Sequence, residues 1–374
     1  MLRTYLCLTL LVPVLALAQA PQAPQVTGRA WVLVDVSSNQ ILAAEKPDER
    51  FEPASLTKLM TAYLVFAALK EKKLTLEQQV NVSERAWRAA GSRMFIEPRK
   101  PVNVDELVRG MIVQSGNDAC IALAEQLAGS EEAFAGMMNR EAERLGMKNT
   151  KYMNASGLPD PQHYSTARDL YLLASALIRD FPEQYAPYYS QRDYRYNGIT
   201  QVNRNRLLWL DNTVDGMKTG FTEAAGYCLV ASSKRGPRRL LSVLLGSTSE
   251  SMRAQESQKL LNWGFQFFDA VRLYAGNAPV KEIEVWKGVR PSLKAGFRSD
   301  LVVTIPKGQG EKLKAELLSQ SPLVAPVAAG TRVGNLRVTL EGKPLGEYPV
   351  VALEEVPAAG IFIRAWDTLR LWLK

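Results

Sequence analysis

The chain has 374 residues with a formal net charge of +8 at pH 7, and 47% of its residues are hydrophobic. This length suggests two domains or one large domain with an appendage, and the apolar content is ample for a globular core. The basic balance fits work near anionic lipid or an acidic wall polymer, and it fits plain solubility equally well. No Lys/Arg block and no interleaving of aromatic and basic residues occurs, which argues against a nucleic-acid partner.

The first residues have the organisation of a secretory signal peptide. Arg3 supplies a positive charge, residues 5–17 form an apolar run, and two small-x-small cleavage sites follow. We expect a signal peptide over residues 1–18, or 1–20 if the second site is used. The apolar run is too short to span a membrane comfortably, so the pattern predicts secretion.

The segment 27–274 predicts a domain with a β-hairpin at each end and helices between. One hairpin covers residues 30–44, and another pairs residues 227–232 with 240–245. Such an order is typical of an α+β domain, with helices on the faces of one antiparallel sheet. We expect residues 181–213 to be irregular. Helices are expected over residues 59–69, 104–112, 118–127, 131–145, 166–178 and 251–270.

From residue 275 the pattern changes to short alternating runs. Residues 301–305 are mostly β-branched, and later Leu336, Val338 and Leu340 alternate with polar residues. A period of two is typical of β-strands. The sequence therefore predicts a small β-rich domain over residues 275–355.

The last stretch, residues 357–374, predicts an amphipathic helix. Two tryptophans and three basic residues suit a helix that lies in a membrane interface, and the helix is too short and too charged to span a bilayer. The alternative is a terminal helix docked on the β-rich domain. The predicted apolar face consists of Ile361, Phe362, Ala365, Trp366, Leu369, Trp372 and Leu373.

Cysteine and histidine limit the possible chemistry. Cys120 and Cys228 lie in apolar segments, so we expect buried free thiols, although an oxidising compartment permits a disulfide. His163 is the only histidine, so a zinc site with two or three His ligands cannot form. It lies in a polar loop, residues 154–165, where we expect a solvated side chain. The chain has neither H-E-x-x-H nor G-x-S-x-G.

Residues 53–58, Pro-Ala-Ser-Leu-Thr-Lys, precede a helix that is apolar nearly all round and should be buried. Positions i and i+3 share a helix face, so Ser55 and Lys58 project together. A lysine whose pKa is lowered by burial or by another cation can accept the proton of a serine nucleophile. Alone, this S-x-x-K pattern also fits an ordinary helix start with a solvated lysine.

Two further motifs follow along the chain, Ser115-Gly116-Asn117 and Lys218-Thr219-Gly220. Together, S-x-x-K, S-x-N and K-T-G resemble the motifs of penicillin-binding proteins and serine β-lactamases. The longer segments Pro-Ala-Ser-Leu-Thr-Lys, Gln-Ser-Gly-Asn-Asp-Ala and Val-Asp-Gly-Met-Lys-Thr-Gly are similar to the low-molecular-mass D-alanyl-D-alanine carboxypeptidases of the penicillin-binding protein 5 and 6 group. This resemblance covers nearly the whole chain. It implies a β-lactamase/transpeptidase-like domain, attached peripherally at the periplasmic face of the cytoplasmic membrane.

The resemblance also implies an activity, removal of the C-terminal D-alanine from peptidoglycan stem peptides through an acyl-enzyme. β-Lactam antibiotics would act as inhibitors, and no metal or cofactor is needed. Lys218 would help to keep Lys58 neutral through like-charge repulsion. The implied roles are Ser55 as nucleophile, Lys58 as general base, Ser115 as proton relay, Asn117, Lys218, Thr219 and Gly220 in substrate binding, and the backbone N–H of Phe221 as an oxyanion donor.

Phe221 departs from a common pattern, because many relatives have His after K-T-G. The backbone donor is preserved, but a polar side chain is lost. Removal of a whole oxyanion donor typically costs ~10²–10³ in rate, whereas only the side chain differs here. We therefore expect Phe221 to change the substrate preference or the pH profile rather than to abolish activity.

Three other functions share features with this interpretation. A serine β-lactamase uses the same acylation residues, but it needs fast deacylation, and no Glu-x-x-Leu-Asn occurs between Asn117 and Lys218. A non-catalytic wall-binding or scaffolding protein would not require three intact motifs. Endopeptidase activity on peptidoglycan crosslinks needs the same residues and is not separable by sequence.

Overall fold

The computed structural model describes residues 22–373, so the predicted signal peptide lies outside the described residues. The elements up to the end of the first domain are β1 (Ala30–Asp35), β2 (Gln40–Glu45), a 3-10 turn (Ala54–Thr57), α1 (Lys58–Lys70), β3 (Gln79–Val80), α2 (Glu84–Trp87), β4 (Val102–Asn103), α3 (Val104–Val113), α4 (Asn117–Ala128), α5 (Glu131–Arg144), α6 (Ala167–Asp180), α7 (Pro182–Tyr189), β5 (Asp193–Tyr196), β6 (Ile199–Val202), α8 (Leu207–Leu210), β7 (Val214–Thr222), β8 (Gly226–Arg235), β9 (Arg238–Ser247) and α9 (Glu250–Phe267).

A five-stranded antiparallel sheet with the order β2-β1-β9-β8-β7 organises this part of the chain. Successive side chains of a strand point to opposite faces. Val32 and Val34 of β1 pack into a large core with α1, α3, α4 and α6, whereas Trp31 and Leu33 pack against α9. Because both faces are covered, β1 is buried throughout, which explains its apolar run over residues 30–34, and the buried carboxylate of Asp35 at its end pairs with Arg238 at 2.6 Å.

The predicted hairpins and most predicted helices are confirmed, but the last helix of this region is shorter than predicted. Helix α9 ends at Phe267, and strand β10 (Phe268–Tyr274) begins at the next residue. Phe268 pairs with Pro306 in an antiparallel ladder between β10 and β13 (Leu301–Pro306). Pairing with a distant strand therefore overrides the local helical pattern at residues 268–270.

The prediction that residues 181–213 are irregular is wrong. This segment contains α7, the β5–β6 hairpin and α8. Asn197 and Gly198 form the hairpin turn with φ of +48° and +77°. Asn-Gly is a strong signal for such turns, because both central residues need positive φ. The signal was present in the sequence and was missed among the tyrosines and arginines.

The remaining elements form the predicted β-rich domain and terminal helix, so the α+β fold class is confirmed. After β10 come β11 (Pro279–Trp286), β12 (Ser292–Gly296), β13 (Leu301–Pro306), a 3-10 turn (Gly310–Lys312), β14 (Leu313–Ser319), β15 (Leu323–Val324), β16 (Arg332–Leu340), β17 (Lys343–Ala352) and α10 (Ile361–Trp372). Six of these strands form a sheet with the order β14-β16-β17-β12-β11-β15, and Leu293, Val338 and Val350 belong to its separate core.

Helix α10 contacts the β-rich domain through its polar side. Asp367 Oδ2 accepts a hydrogen bond from the backbone N–H of Lys287 at 2.6 Å, and the Arg370 guanidinium lies 5.1 Å from the centre of the Trp286 ring. The predicted apolar face points away, with Phe362 88% and Trp372 80% exposed. Within residues 22–373, no helix is long and apolar enough to cross a membrane.

Candidate active site

All three motifs meet at one cavity of about 350 Å³. Ser55 comes from the 3-10 turn, Ser115 and Asn117 from the junction of α3 and α4, and Thr219 and Gly220 from β7. Strand β7 forms one edge of the main sheet, and this edge lies beside the 3-10 turn. The fold therefore brings together three segments that are far apart in the sequence.

Ser55 and Lys58 project together, as predicted, although the local geometry is tighter than an α-helix. Ser55 lies in the 3-10 turn Ala54–Thr57, and Lys58 is the first residue of α1. Side chains at i and i+3 are eclipsed in a 3-10 helix, which places them closer than in an α-helix. Lys58 Nζ lies 2.9 Å from Ser55 Oγ, and Lys58 is only 1% exposed. The alternative of a solvated lysine is thus wrong.

Lys58 Nζ has three oxygen neighbours. Besides Ser55 Oγ, they are Asn117 Oδ1 at 2.7 Å and the backbone carbonyl of Ser156 at 2.6 Å. The oxygens of Asn117 and Ser156 can only accept hydrogen bonds. A neutral amine has two N–H groups and one lone pair, so these two oxygens take both N–H groups. The lone pair is then left for the hydroxyl hydrogen of Ser55, which is the geometry that a general base needs.

Burial is the main cause that shifts Lys58 toward its neutral form. Burial lowers the pKa of Lys58 to about 8, and Arg204 acts in the same direction, while Cys120 and Asp118 oppose the shift. An ammonium group loses hydration when it is buried, so the charged form becomes less favourable. Burial, rather than the predicted repulsion from Lys218, is therefore the main cause.

Asn117 is fixed by the protein on both sides of its amide. Its Oδ1 accepts from Lys58, and its Nδ2 donates to the carbonyl of Ala90 at 2.6 Å. A side-chain amide carries two N–H donors, so one remains for another acceptor. Its own backbone N–H donates to the carbonyl of Ser92 at 2.7 Å. Asn117 thus connects Lys58 to the loop that contains Ala90 and Ser92 and borders the cavity.

Ser115 has an uncommon backbone conformation, with φ of +67° between α3 and α4. Three residues later, Asp118 lies in the first turn of α4, and its carboxylate accepts hydrogen bonds from the backbone N–H groups of Met94 and Phe95 at 2.9 and 2.8 Å. Ser115 lines the cavity, yet its Oγ is buried and has no hydrogen-bond partner within residues 22–373. A buried hydroxyl without a partner is costly, so this group is suited to a bound molecule.

Lys218 is 3% exposed and directly precedes Thr219 and Gly220, which line the cavity. Its Nζ donates to the carbonyl of Thr219 at 3.2 Å. Burial lowers the pKa of Lys218 well below its usual value, and Lys58 and Arg204 lower it further. Burial and the nearby cations therefore disfavour the charged form of Lys218, and an arriving carboxylate would stabilise that form.

Strand β7 lies close to the 3-10 turn that carries Ser55. A Cβ added to Gly220 would lie 3.2 Å from the carbonyl oxygen of Pro53 and 3.3 Å from Cβ of Ala54. A side chain here would therefore crowd the 3-10 turn Ala54–Thr57, which we call the nucleophile turn because it carries Ser55. The next residue, Phe221, is 46% exposed, and its ring centre lies 4.4 Å from that of Tyr227. Both rings line the cavity, so its edge at this point is aromatic.

Two arginines that line the cavity were not predicted. Arg204 is exposed, whereas Arg253 is 3% exposed and its guanidinium reaches the carbonyls of Gly220 and Arg204 at 3.4 and 3.5 Å. Arg253 also pairs with Glu250 at 3.1 Å. A signal for Arg253 was available, because Arg253, Ser257 and Leu260 recur at helical spacing on the buried face of α9.

His163 is buried, so the prediction of a solvated side chain is wrong. Its Nδ1 accepts from the backbone N–H of Met153 at 3.3 Å, which leaves the proton on Nε2 to be donated to Thr57 Oγ1 at 2.9 Å. Burial lowers the pKa of His163 to about 4. The neutral ring thus links the loop 154–165 to the nucleophile turn.

Cys120 and Cys228 are unpaired, as predicted, and both are buried. Burial raises the pKa of the Cys120 thiol to about 12 and that of Cys228 to about 11. Both groups are therefore protonated and unreactive at neutral pH. In the described part of the chain, no three His, Cys, Asp or Glu side chains cluster where they could hold a metal ion.

Comparison with known proteins gives matches along nearly the whole chain. A family model described as D-alanyl-D-alanine carboxypeptidase matches residues 17–249, and one described as penicillin-binding protein 5, C-terminal domain, matches residues 268–358. The chain is 45% identical to D-alanyl-D-alanine carboxypeptidase DacC of Escherichia coli (strain K12) over 360 residues, which cover 94% of this chain and 90% of that protein.

Two solved structures are similar as well. Penicillin-binding protein 5 from Haemophilus influenzae superposes with a TM-score of 0.86 at 40% identity, over 90% of this chain and 99% of that one. Penicillin-binding protein D2 from Listeria monocytogenes, in its ampicillin-bound form, has a TM-score of 0.59 at 31% identity, over 64% of this chain and 98% of that one. The resemblance carried by the three motifs is thus confirmed, and the chain belongs to the D-alanyl-D-alanine carboxypeptidase family.

Proposed function

We propose that Ser55 and Lys58 remove the C-terminal D-alanine from peptidoglycan pentapeptide stems. Ser55 Oγ attacks the carbonyl carbon between the last two D-alanines, and its proton passes to the neutral amine of Lys58. The C–N bond then breaks, and the leaving nitrogen takes a proton that Ser115 relays from Lys58. The products of this half-reaction are free D-alanine and an ester between Ser55 and the shortened peptide.

Water completes the cycle. It attacks the ester carbon, and its proton passes to Lys58. The C–O bond to Ser55 then breaks, Lys58 returns the proton to Ser55 Oγ, and the shortened peptide leaves with a free carboxyl group. The backbone N–H groups of Ser55 and Phe221 would stabilise the negative charge on the carbonyl oxygen in both steps. The second N–H of Asn117 Nδ2 would donate to the acyl part of the substrate.

The cationic side of the cavity suits a peptide that ends in a free carboxylate. Lys218 and Thr219 would receive this carboxylate, and Arg204 and Arg253 add positive charge beside them. Charge-assisted hydrogen bonds of this kind are roughly twice as strong as neutral ones. Because this arrangement would bind a terminal carboxylate, it favours removal of the last residue of a peptide over cleavage inside a longer chain.

The single observation that carries the proposal is the set of contacts around Lys58 Nζ. Two oxygens that only accept hydrogen bonds lie at 2.7 and 2.6 Å, and the nucleophile lies at 2.9 Å. The same contacts would allow attack on a β-lactam, which has a strained amide carbonyl and, beside it, a carboxylate. We therefore expect β-lactams to acylate Ser55.

Intact mass after mixing with benzylpenicillin, followed over time for wild type and Ser55→Ala, tests this function. A long-lived adduct in wild type alone supports the Ser55 acyl-enzyme and the carboxypeptidase. Rapid hydrolysis of the drug without an accumulated adduct would favour a β-lactamase. If neither adduct nor hydrolysis occurs, the non-catalytic scaffold becomes the better interpretation. Release of D-alanine from a pentapeptide checks the natural reaction directly.

The proposal includes a location, at the periplasmic surface of the inner membrane after removal of the signal peptide. Support comes from helix α10, whose polar side contacts the β-rich domain at Lys287 while its apolar face is exposed. Burial of Phe362, Trp366 and Trp372 in the lipid interface would remove this apolar area from water. The β-rich domain, for which we keep the limits 275–355, would then lie between the membrane and the catalytic domain.

A further inference from the structure

The orientation of the Lys58 amine depends on a backbone oxygen, the carbonyl of Ser156, which belongs to none of the three motifs. This carbonyl lies in the turn 154–158, which is neither helix nor strand. Inside the turn, Asn154 Oδ1 accepts from the backbone N–H groups of Ser156, Gly157 and Leu158 at 2.7 to 3.2 Å. These bonds shape the turn, but other contacts must fix it relative to Lys58.

Ala155, directly before Ser156, makes such contacts at both of its backbone groups. Its carbonyl accepts from Thr61 Oγ1 at 2.6 Å, and Thr61 lies on α1 three residues after Lys58, on the same helix face. Its N–H donates to Oε1 of Glu131 at 3.0 Å. The Ser156 carbonyl is thus positioned from the helix of the base on one side and from the first residue of α5 on the other.

Glu131 differs from its neighbour Glu132 in a way that points to this role. Glu131 is 5% exposed, whereas the side chain of Glu132 is 68% exposed. Both carboxylates bind the same Arg85 guanidinium, at 2.6 and 2.7 Å, but Ala155 contacts only that of Glu131. Burying a carboxylate is costly unless it is paired. Here Oε2 of Glu131 is paired with Arg85, and Oε1 accepts the hydrogen bond from the backbone N–H of Ala155.

We infer that Glu131, held by Arg85, is a positioning residue for the acylation of Ser55. It fixes Ala155, so that the Ser156 carbonyl takes one N–H of Lys58 and the lone pair stays directed at the nucleophile. Glu131 does not line the cavity, so it acts through the turn and not on the substrate. The inference rests on the proposed acylation of Ser55.

The test measures benzylpenicillin acylation of the full chain at several drug concentrations, which separates non-covalent affinity from the acylation rate constant. For Glu131→Ala we expect the rate constant to fall ~10- to 100-fold, since a misplacement of ~1 Å can cost ~10². Non-covalent affinity should stay within about twofold, because ground-state contacts are unchanged. Glu131→Gln keeps an acceptor for the Ala155 N–H and should acylate within about threefold of wild type. Glu132→Ala removes the other partner of Arg85 and should acylate as wild type does.

Thermal unfolding identifies which variants are folded. A folded Glu131→Ala variant with the wild-type acylation rate constant would overturn the inference, as would a folded Glu131→Gln variant that acylates as slowly as the alanine variant. If the alanine variant does not fold, Glu131→Gln decides alone, and near-wild-type acylation supports the acceptor role. An adduct that fails to form in wild type would instead refute the proposed function.

Discussion

Replacing Gly157 with alanine tests whether the turn 154–158 must contact the nucleophile turn. Gly157 has φ of +83°, and an added Cβ would lie 1.7 Å from the Ala54 carbonyl oxygen and 2.8 Å from Thr57 Oγ1. Real Cβ atoms essentially never approach closer than 3.0 Å, so the two turns must separate by more than an ångström. The left-handed backbone alone costs an alanine ~1–2 kcal/mol.

This separation should reduce acylation strongly. Ala54 directly precedes Ser55, and Ser156, whose carbonyl binds Lys58, directly precedes Gly157. The alanine therefore moves the nucleophile and a ligand of the base apart. Since a misplacement of ~1 Å can cost ~10² in rate, we expect a ~100-fold lower acylation rate constant with benzylpenicillin. Urea unfolding should also show a loss of stability larger than the ~1–2 kcal/mol of the backbone conformation.

Gly146→Ala is the matched control. Gly146 has φ of +78° just after α5, and nothing lies within 4 Å of an added Cβ. This variant carries the backbone cost without the collision, so it should lose ~1–2 kcal/mol of stability and acylate at the wild-type rate. Equal acylation by the two variants would refute the reasoning, because contact between the turns would then be unnecessary for chemistry.

Four further predictions concern pH, charge, specificity and location. Because burial lowers the pKa of Lys58 to about 8, the acylation rate constant should rise with pH and level off above about pH 8; a flat profile would contradict the assigned base. Arg204→Gln removes a cation that lowers this pKa, so the rise should shift to higher pH and KM for a D-alanyl-D-alanine peptide should increase; an unshifted profile and an unchanged KM would count against it. Phe221→His should change kcat/KM or its pH dependence, and the idea fails if neither changes. Deletion of residues 357–374 should move the protein from the membrane fraction to the soluble periplasmic fraction, and persistence in the membrane fraction would exclude α10 as the anchor.

Elements with a local cause were predictable from the sequence. Strand β1 has an apolar run over residues 30–34 because helices cover both of its faces, and several helices show a clear apolar period. The link between Ser55 and Lys58 follows from their spacing of three residues, whether the turn is 3-10 or α. That the three motifs line one cavity was expected from the resemblance to penicillin-binding proteins and not from any local signal.

Features that depend on tertiary contacts were not predictable in the same way. The Ser156 carbonyl belongs to the backbone, and any residue type provides a carbonyl. Glu131 looks like one of two ordinary acidic residues at the start of a helix, and only the fold shows which one is buried. His163 lies in a polar loop, yet bonds to Thr57 and Met153 bury its ring. The polar composition of the loop therefore predicted an exposed side chain, whereas the hydrogen-bond partners of His163 lie outside the loop and its ring is buried.

The two motif lysines differ in how completely the protein satisfies them, and this difference supports their separate roles. Lys58 Nζ has three oxygen neighbours, so its N–H groups and lone pair are all directed by the protein. Within residues 22–373, Lys218 Nζ donates only to the carbonyl of Thr219, and the nearby Ser115 hydroxyl has no partner. In its ammonium form Lys218 has three donors, and a ligand that brings a negatively charged acceptor would stabilise that form. A substrate carboxylate is such an acceptor, and a leaving nitrogen is a partner for Ser115. We therefore expect the amine of Lys58 to be oriented before the substrate binds, whereas Lys218 and Ser115 would gain their missing partners from the substrate itself.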